Sequence, residues 1–234
     1  MFLNKNTVLP AAPAAKPVQY ALKALRRDFD RVFSATEAPG GRVLLNVNDT
    51  LAAEQYVLTA GADTLLLSAA DDLGFVYGLF EISRRYLGVQ PFWFWNDQPL
   101  ESREDVAIAA GTVVESKPYK VKYRGWFVND ETLISHWKVE RRSDLPFIMA
   151  FEALLRLGGN MVIPGTGKNG LLYRQTAADM GLIITHHHAE PLGAEMFAQA
   201  YPNLEPMDSK YPEKFRALWQ AGIDAQRDMR VVWN

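Results

Sequence analysis

The chain has 234 residues, enough for one large or two small domains, and 48% of them are hydrophobic, which excludes a disordered polypeptide. Lys plus Arg number 25 against 27 Asp plus Glu, a net charge of -2, so there is no electrostatic case for nucleic acid or an anionic membrane as partner. With no cysteine, disulfides, thiolate metal sites and a cysteine nucleophile are excluded.

No apolar run approaches the roughly 18 residues that span a bilayer. Residues Met1–Pro10 lack the apolar core of a signal peptide, and Ala11–Ala15 resembles a cleavage site with no such core before it. We read Ala11–Ala15 as a flexible lead-in. The expected location is cytoplasmic if Met1 is the native start, and secreted or periplasmic if a signal peptide has been removed. Aromatic residues make up 12%, six of them Trp, which leans toward sugar binding because a sugar's C–H face packs on flat rings.

In chain order, Val18–Phe33 carries Tyr20, Leu22, Leu25, Phe29, Val32 and Phe33 at nearly helical spacing and predicts a helix. Pro39-Gly-Gly41 predicts a turn and Arg42–Val47 a strand. Tyr56–Thr59 and Thr64–Ser68 flank the turn Ala60–Asp63 and predict a hairpin. Asp71 caps a helix expected to reach about Tyr86, with Gly88 stopping it. The dense aromatic stretch Phe92-Trp-Phe-Trp95 reads as a plug between domains rather than a substrate contact. Glu101–Lys117 reads as a polar bridge with one short strand, Val106–Ala109. Residues 1–118 are therefore expected to form a small α+β sandwich domain.

From residue 119 the pattern becomes strand, helix, strand, helix. Expected strands lie in Arg124-Gly-Trp-Phe-Val-Asn-Asp-Glu131, Asn160–Ile163, Leu182–Glu190 and Arg230–Asn234. Expected helices are Leu145–Leu157, apolar nearly all round, then Tyr173–Met180 and Pro212–Met229. Such alternation argues a parallel sheet with right-handed crossovers, so that all strand ends face one way. The expected fold class is α/β: the sandwich domain, then four β/α units forming the first half of a (β/α)8 TIM barrel over 119–234, whose site gathers at the strand ends.

Three candidates for chemistry follow. Asn129, Asp130 and Glu131 end the first strand of this half; a carboxylate there can bind sugar hydroxyls, orient water or act as a base, with Trp126 offering an aromatic face. The plainer alternative is that Asp130 caps the next segment and Glu131 is solvated. His186-His-His188 and Glu190 end the third strand, with His186 and His188 on one face if the strand is extended. They could bind a polar ligand, form a structural cluster or, less readily, hold zinc, which needs further ligands. Gly165-Thr-Gly-Lys-Asn-Gly170 lacks the residue order of a phosphate-binding loop, because Asn169 stands where Ser or Thr should follow Lys168, and reads as a loop at the mouth of the site. No Gly-x-Ser-x-Gly elbow is present.

Taken together, Tyr123–Glu131, Phe151–Asn160 and Ala178–Pro191, with Asp71–Arg84 and Pro91–Asp97 ahead of them, resemble the xylan α-1,2-glucuronidases of glycoside hydrolase family 115. The resemblance implies an inverting enzyme that releases glucuronic or 4-O-methylglucuronic acid from xylan side chains, its acid and base roughly 6.5–9.5 Å apart. It matches Asn129, Asp130 and Glu131 to the family's strand-one site residues and His188 and Glu190 to its strand-three ones; we expect Asp130, positioning substrate or water, and Glu131 as catalytic residues, and Asn129, Trp126, His186, His188 and Glu190 as substrate contacts. We expect no cofactor or metal; the resemblance implies glucuronoxylan or a xylo-oligosaccharide as partner. Ala189, inserted in the His-His-Glu-Pro motif, and Gly165-Thr166 depart from the family pattern. The family's acid and base lie beyond Asn234, so this stretch alone is expected to be inactive. An open sheet edge leads us to expect a homo-oligomer. The alternatives are a non-catalytic sugar-binding module and a His/Glu metal-dependent hydrolase.

Overall fold

A computed structural model describes residues 1–11 and 13–234; residue 12, within the expected lead-in, lies outside the described residues. The chain forms two compact units. The first comprises Met1–Lys122 together with Leu155–Gly158, and the second Tyr123–Leu154 with Gly159–Asn234.

The first unit contains β1 (Phe2–Asn4), α1 (Lys16–Val32), β2 (Arg42–Val47), β3 (Tyr56–Ala60), β4 (Thr64–Ala69), α2 (Asp72–Ile82), β5 (Asp105–Ala107) and β6 (Val113–Glu115). Four strands make a mixed sheet in the order β2-β4-β3-β6, and β1 pairs antiparallel with β5. The hairpin is as expected, Tyr56 opposite Ala69 and Ala60 opposite Leu65. β2 runs parallel to β4, which requires the chain to cross over between them. Alternate residues of β4 are buried, so one face of the sheet is covered.

Pro17 sits in the first turn of α1, where its missing N–H costs nothing, and Ala21, Leu25, Phe29 and Val32 form the buried stripe. Asp71 caps α2 by accepting from the Gly74 amide at 2.8 Å. The expected continuation to Tyr86 is a π-helical turn, Ser83–Leu87. Its first residue donates from Ser83 Oγ to Asp28 Oδ2 at 2.8 Å. Asp28 is buried in α1 and also receives Arg27 Nη2 at 3.0 Å and Arg156 Nη2 at 2.5 Å. The Arg156 guanidinium lies over the Phe80 ring, 4.5 Å from its centroid. In the aromatic stretch, Trp93 is buried and takes Arg27 and Arg31 of α1 on its ring at 4.7 and 4.4 Å. β1 and β6 were not expected: each is three residues long, too short to show a period.

The second unit holds β7 (Gly125–Phe127), most of α3 (Leu145–Arg156), β8 (Met161–Ile163), α4 (Gly167–Asp179), β9 (Ile183–Ile184), α5 (Phe197–Ala200) and α6 (Pro212–Asp224). β7, β8 and β9 are parallel and adjacent in that order. Val231 makes a parallel bridge to Ile184, with the Ile184 amide on Arg230 O and the Val232 amide on Ile184 O, both at 2.9 Å. A Cβ at position 125 would stand 2.2 Å from the Met161 carbonyl, so β7 approaches β8 this closely because residue 125 is glycine. α3 is buried nearly all round, with Phe147, Phe151 and Leu155 among the most enclosed side chains.

Three expectations are corrected here. α4 begins at Gly167, not Tyr173, so most of the supposed loop Gly165–Gly170 is the first helical turn; its glycines hid the helix start. α6 ends at Asp224 rather than Met229. The third strand stops at Ile184, and His188–Glu190 is a turn closed by the Glu190 amide on His187 O at 2.9 Å. Hence the period-two argument that put His186 and His188 on one strand face does not apply. Among the described residues no helix is long and apolar enough to cross a membrane.

Candidate active site

The parallel sheet brings the ends of β7, β8 and β9 side by side, and their polar residues meet at the start of α4. After β7, Asn129 and Glu131 are exposed while Asp130 between them is 1% exposed. Asp130 Oδ1 accepts from the Thr166 amide at 2.8 Å and from Thr166 Oγ1 at 2.9 Å. Its Oδ2 accepts from Asn169 Nδ2 at 2.5 Å. The carbonyl of Asp130 takes the Ser135 amide at 3.0 Å and the Ser135 hydroxyl. Both oxygens of this carboxylate thus serve the start of α4, Oδ1 at its N-cap Thr166 and Oδ2 at Asn169 in its first turn.

Glu190, after β9, is also buried, and its Oε1 accepts from the Gly167 amide. Thr166 is the N-cap position of α4, yet its own side chain caps nothing. The first amides of the helix are satisfied instead by two carboxylates from neighbouring strand ends, at the positive pole of the helix dipole. Burial raises the Glu190 carboxyl above its ordinary range. The Gly167 amide opposes the rise, the nearby Asp130 charge adds to it, and His186 and Arg174 pull it back down. Arg174, half-buried on α4, donates to Gly193 O at 3.1 Å; burial lowers its pKa and Glu190 partly restores it.

His186 is buried, with Nδ1 3.0 Å from Asn234 Oδ1 and Nε2 2.9 Å from Gln226 Oε1. Trp233 stacks on its ring, centroids 5.7 Å apart. His187 faces elsewhere, against Phe127 at 5.4 Å and His188 at 4.1 Å between centroids, and His188 is exposed. The three histidines do not converge on a point, and among the described residues no group of three His, Asp or Glu side chains is arranged to hold a metal ion. Trp126, on β7, is half-buried. A small cleft opens beside the cluster, walled by Pro164, Leu171, Arg174, Thr185, His187 and Glu190.

Asp130 and Glu190 therefore meet through α4; Asn129, Glu131 and His188 stand exposed around them; His186 turns to a separate pair of amides. Thr166, Asn169, Arg174, Gln226 and Asn234 were not singled out as functional from sequence. Thr166 and Asn169 carried a usable signal, an N-cap residue followed three positions later by a polar partner. Gln226 and Asn234 carried none, because they act across 40 and 48 residues.

The chain has the mixed α/β fold of several glycoside hydrolases. A solved structure described as a family GH115 4-O-methyl-α-glucuronidase, BtGH115A, with specificity for decorated arabinogalactans superposes with a TM-score of 0.79 at 19% identity, covering 100% of this chain and 36% of that one. A GH20 exo-β-N-acetylglucosaminidase from Vibrio harveyi gives 0.52 at 12% identity, covering 89% of this chain and 37% of that one. A GH138 enzyme targeting pectin rhamnogalacturonan II gives 0.51 at 12%, covering 97% and 30%. At these identities the likeness establishes the fold alone, and the chain spans about a third of each solved chain's length. Among curated proteins no significant match was found. The family model of glycosyl hydrolase family 115 matches residues 116–234, just over half of the sequence, and the chain belongs to that family.

Proposed function

We propose that the polypeptide carrying this chain is an inverting α-glucuronidase that releases glucuronic or 4-O-methylglucuronic acid from xylan side chains. In this reading residues 1–118 are an α+β sandwich domain, and residues 119–234 are the first half of a (β/α)8 barrel. The observation that carries it is that the family match runs from residue 116 to 234 and so contains every residue of the Asp130–Thr166–Glu190 cluster. Asp130 and Glu190 hold the β8–α4 turn and shape the pocket. Asn129, Glu131, Trp126 and His188 are offered to the sugar.

Asp130 and Glu190 are buried and engaged with α4 amides, so neither serves here as a freely exchanging acid or base. In this reading the acid–base pair lies where the family resemblance puts it, in sequence outside these 234 residues, and we expect the chain alone to release no uronic acid. Association of copies through the β7 edge of the sheet is part of the same reading.

The test compares the 234-residue chain with the longer polypeptide containing it, on 4-O-methylglucuronosyl xylo-oligosaccharides and on uronate-capped arabinogalactan. Release from the xylan substrate by the longer protein only, with the β-anomer of the uronic acid appearing first, is the expected result. Initial α-anomer would rule out inversion. Action on arabinogalactan alone would move the substrate assignment, and turnover by the short chain would overturn its inactivity. Light scattering at several concentrations tests self-association; a monomer throughout would end that part of the proposal.

A further inference from the structure

The surroundings of His186 determine how many protons its ring carries. Asn234 Nδ2 donates to the His186 carbonyl at 3.0 Å, which fixes the orientation of that amide and turns Oδ1 toward Nδ1. Gln226 Nε2 donates to Gly222 O at 2.9 Å and to Leu192 O at 3.4 Å. Reversing that amide would set its oxygen against two carbonyls, so Oε1 stays on His186 Nε2 at 2.9 Å. Each ring nitrogen therefore meets an oxygen that can only accept. A neutral imidazole has one N–H and would point its lone pair at one of these oxygens in a buried place, leaving two acceptors face to face. Only the doubly protonated ring satisfies both.

We infer that Gln226 and Asn234 are positioning residues that hold His186 with a proton on each ring nitrogen, making it a fixed cation behind the cleft. Gln226 is 1% exposed and spends both of its N–H donors on backbone carbonyls, so its oxygen is committed to the ring. Trp233, stacked on His186, presents a π-face that favours a cation. Glu190, four residues on and also buried, is close enough to interact electrostatically with the ring. Gly193 makes the arrangement possible: a Cβ there would lie 2.3 Å from Gln226 Nε2 and 2.6 Å from His186 Nε2. His186 itself lines the cleft, so the cation biases the cleft toward anionic ligands. Only this last step rests on the glucuronidase reading; the protonation state does not.

The experiment is nitrogen-15 NMR of the protein with labelled histidine at pH 7, the His186 signals assigned by their loss in His186→Gln. Two protonated-type ring nitrogens, each with a directly bonded hydrogen, are expected. One nitrogen at the lone-pair position would overturn the inference, and the wild-type spectrum alone decides this. As a second arm, Gln226→Glu keeps an acceptor oxygen and should retain both ring hydrogens, whereas Gln226→Leu should lose the one on Nε2. An unchanged Nε2 hydrogen in a folded Gln226→Leu protein would remove Gln226 from the role. No substrate is involved, so failure here is distinguishable from failure of the glucuronidase assay.

Discussion

Asp130 and Glu190, sixty residues apart in sequence, accept hydrogen bonds from consecutive backbone amides, those of Thr166 and Gly167. Each comes from the end of a different strand, and the helix between them receives both. The start of α4 is thereby tied to β7 on one side and β9 on the other.

Replacement Asp130→Asn keeps the shape but removes the charge and sets an N–H2 group against a donor, either Asn169 Nδ2 or the Thr166 amide. Loss of hydrogen bonds to a charged group costs roughly 1.5–3 kcal/mol. Thermal melts followed by circular dichroism should show a lower transition, and Thr166→Val should lower it less, because the backbone amide still reaches Asp130.

For Glu190 the expected effect depends on pH. Its folded carboxyl binds a proton more tightly than the unfolded one, whose ordinary value is 4.5. The folded state then holds more protons between the two values, so the contribution of Glu190 is full below 4.5 and declines as pH rises through the folded value. Glu190→Gln, which can still accept from Gly167, should gain on the wild type as pH rises from 4.5. Melts of both proteins across pH 4–8 check this; a variant that loses ground to the wild type as pH rises would contradict it.

Arg156 and Asp28 have side chains that are 2% and 1% exposed. Arg156→Met leaves Asp28 buried with Arg27 and Ser83 as its partners among the described residues, and breaking a buried pair costs about 3–5 kcal/mol. The double variant Asp28→Leu with Arg156→Met should recover part of that loss in urea unfolding, since no buried charge is then stranded.

Gly193 has φ +69°, and any side chain there meets His186 and Gln226. Gly193→Ala combines backbone strain of about 1–3 kcal/mol with that overlap. A lowered melting temperature is expected, together with loss of the His186 ring N–H signals.

The elements that carry a period are legible in the sequence itself. α1, β2 and the β3–β4 hairpin follow directly from spacing, and the succession of strands and helices after residue 119 foretold the parallel order β7-β8-β9. What failed did so for local reasons. β1 and β6 have three residues each, below the length at which alternation can be recognised. The start of α4 was concealed because Gly165, Gly167 and Gly170 look like loop residues, although two carboxylates from elsewhere stabilise a helix there. Apolar Leu182-Ile-Ile184 suggested that extension would continue through the histidines, whereas the chain turns at His188. At the candidate site, Asp130 and Glu190 could be named from their positions after apolar strands. That both would be spent on α4 could not, since the amides they cap become neighbours only when the sheet is assembled.

The last turn of α3 has a practical consequence for dissecting this protein. Leu155–Gly158 clusters with residues from the first half of the chain, and Arg156 closes the charge on Asp28 and covers the face of Phe80. Scission after Lys122, the obvious place on paper, would amputate four residues that the amino-terminal piece cannot replace. A surgeon's cut there removes a stitch sewn from further along the thread, and a recombinant piece ending at Lys122 would need that stitch supplied in trans or its acid neutralised by mutation.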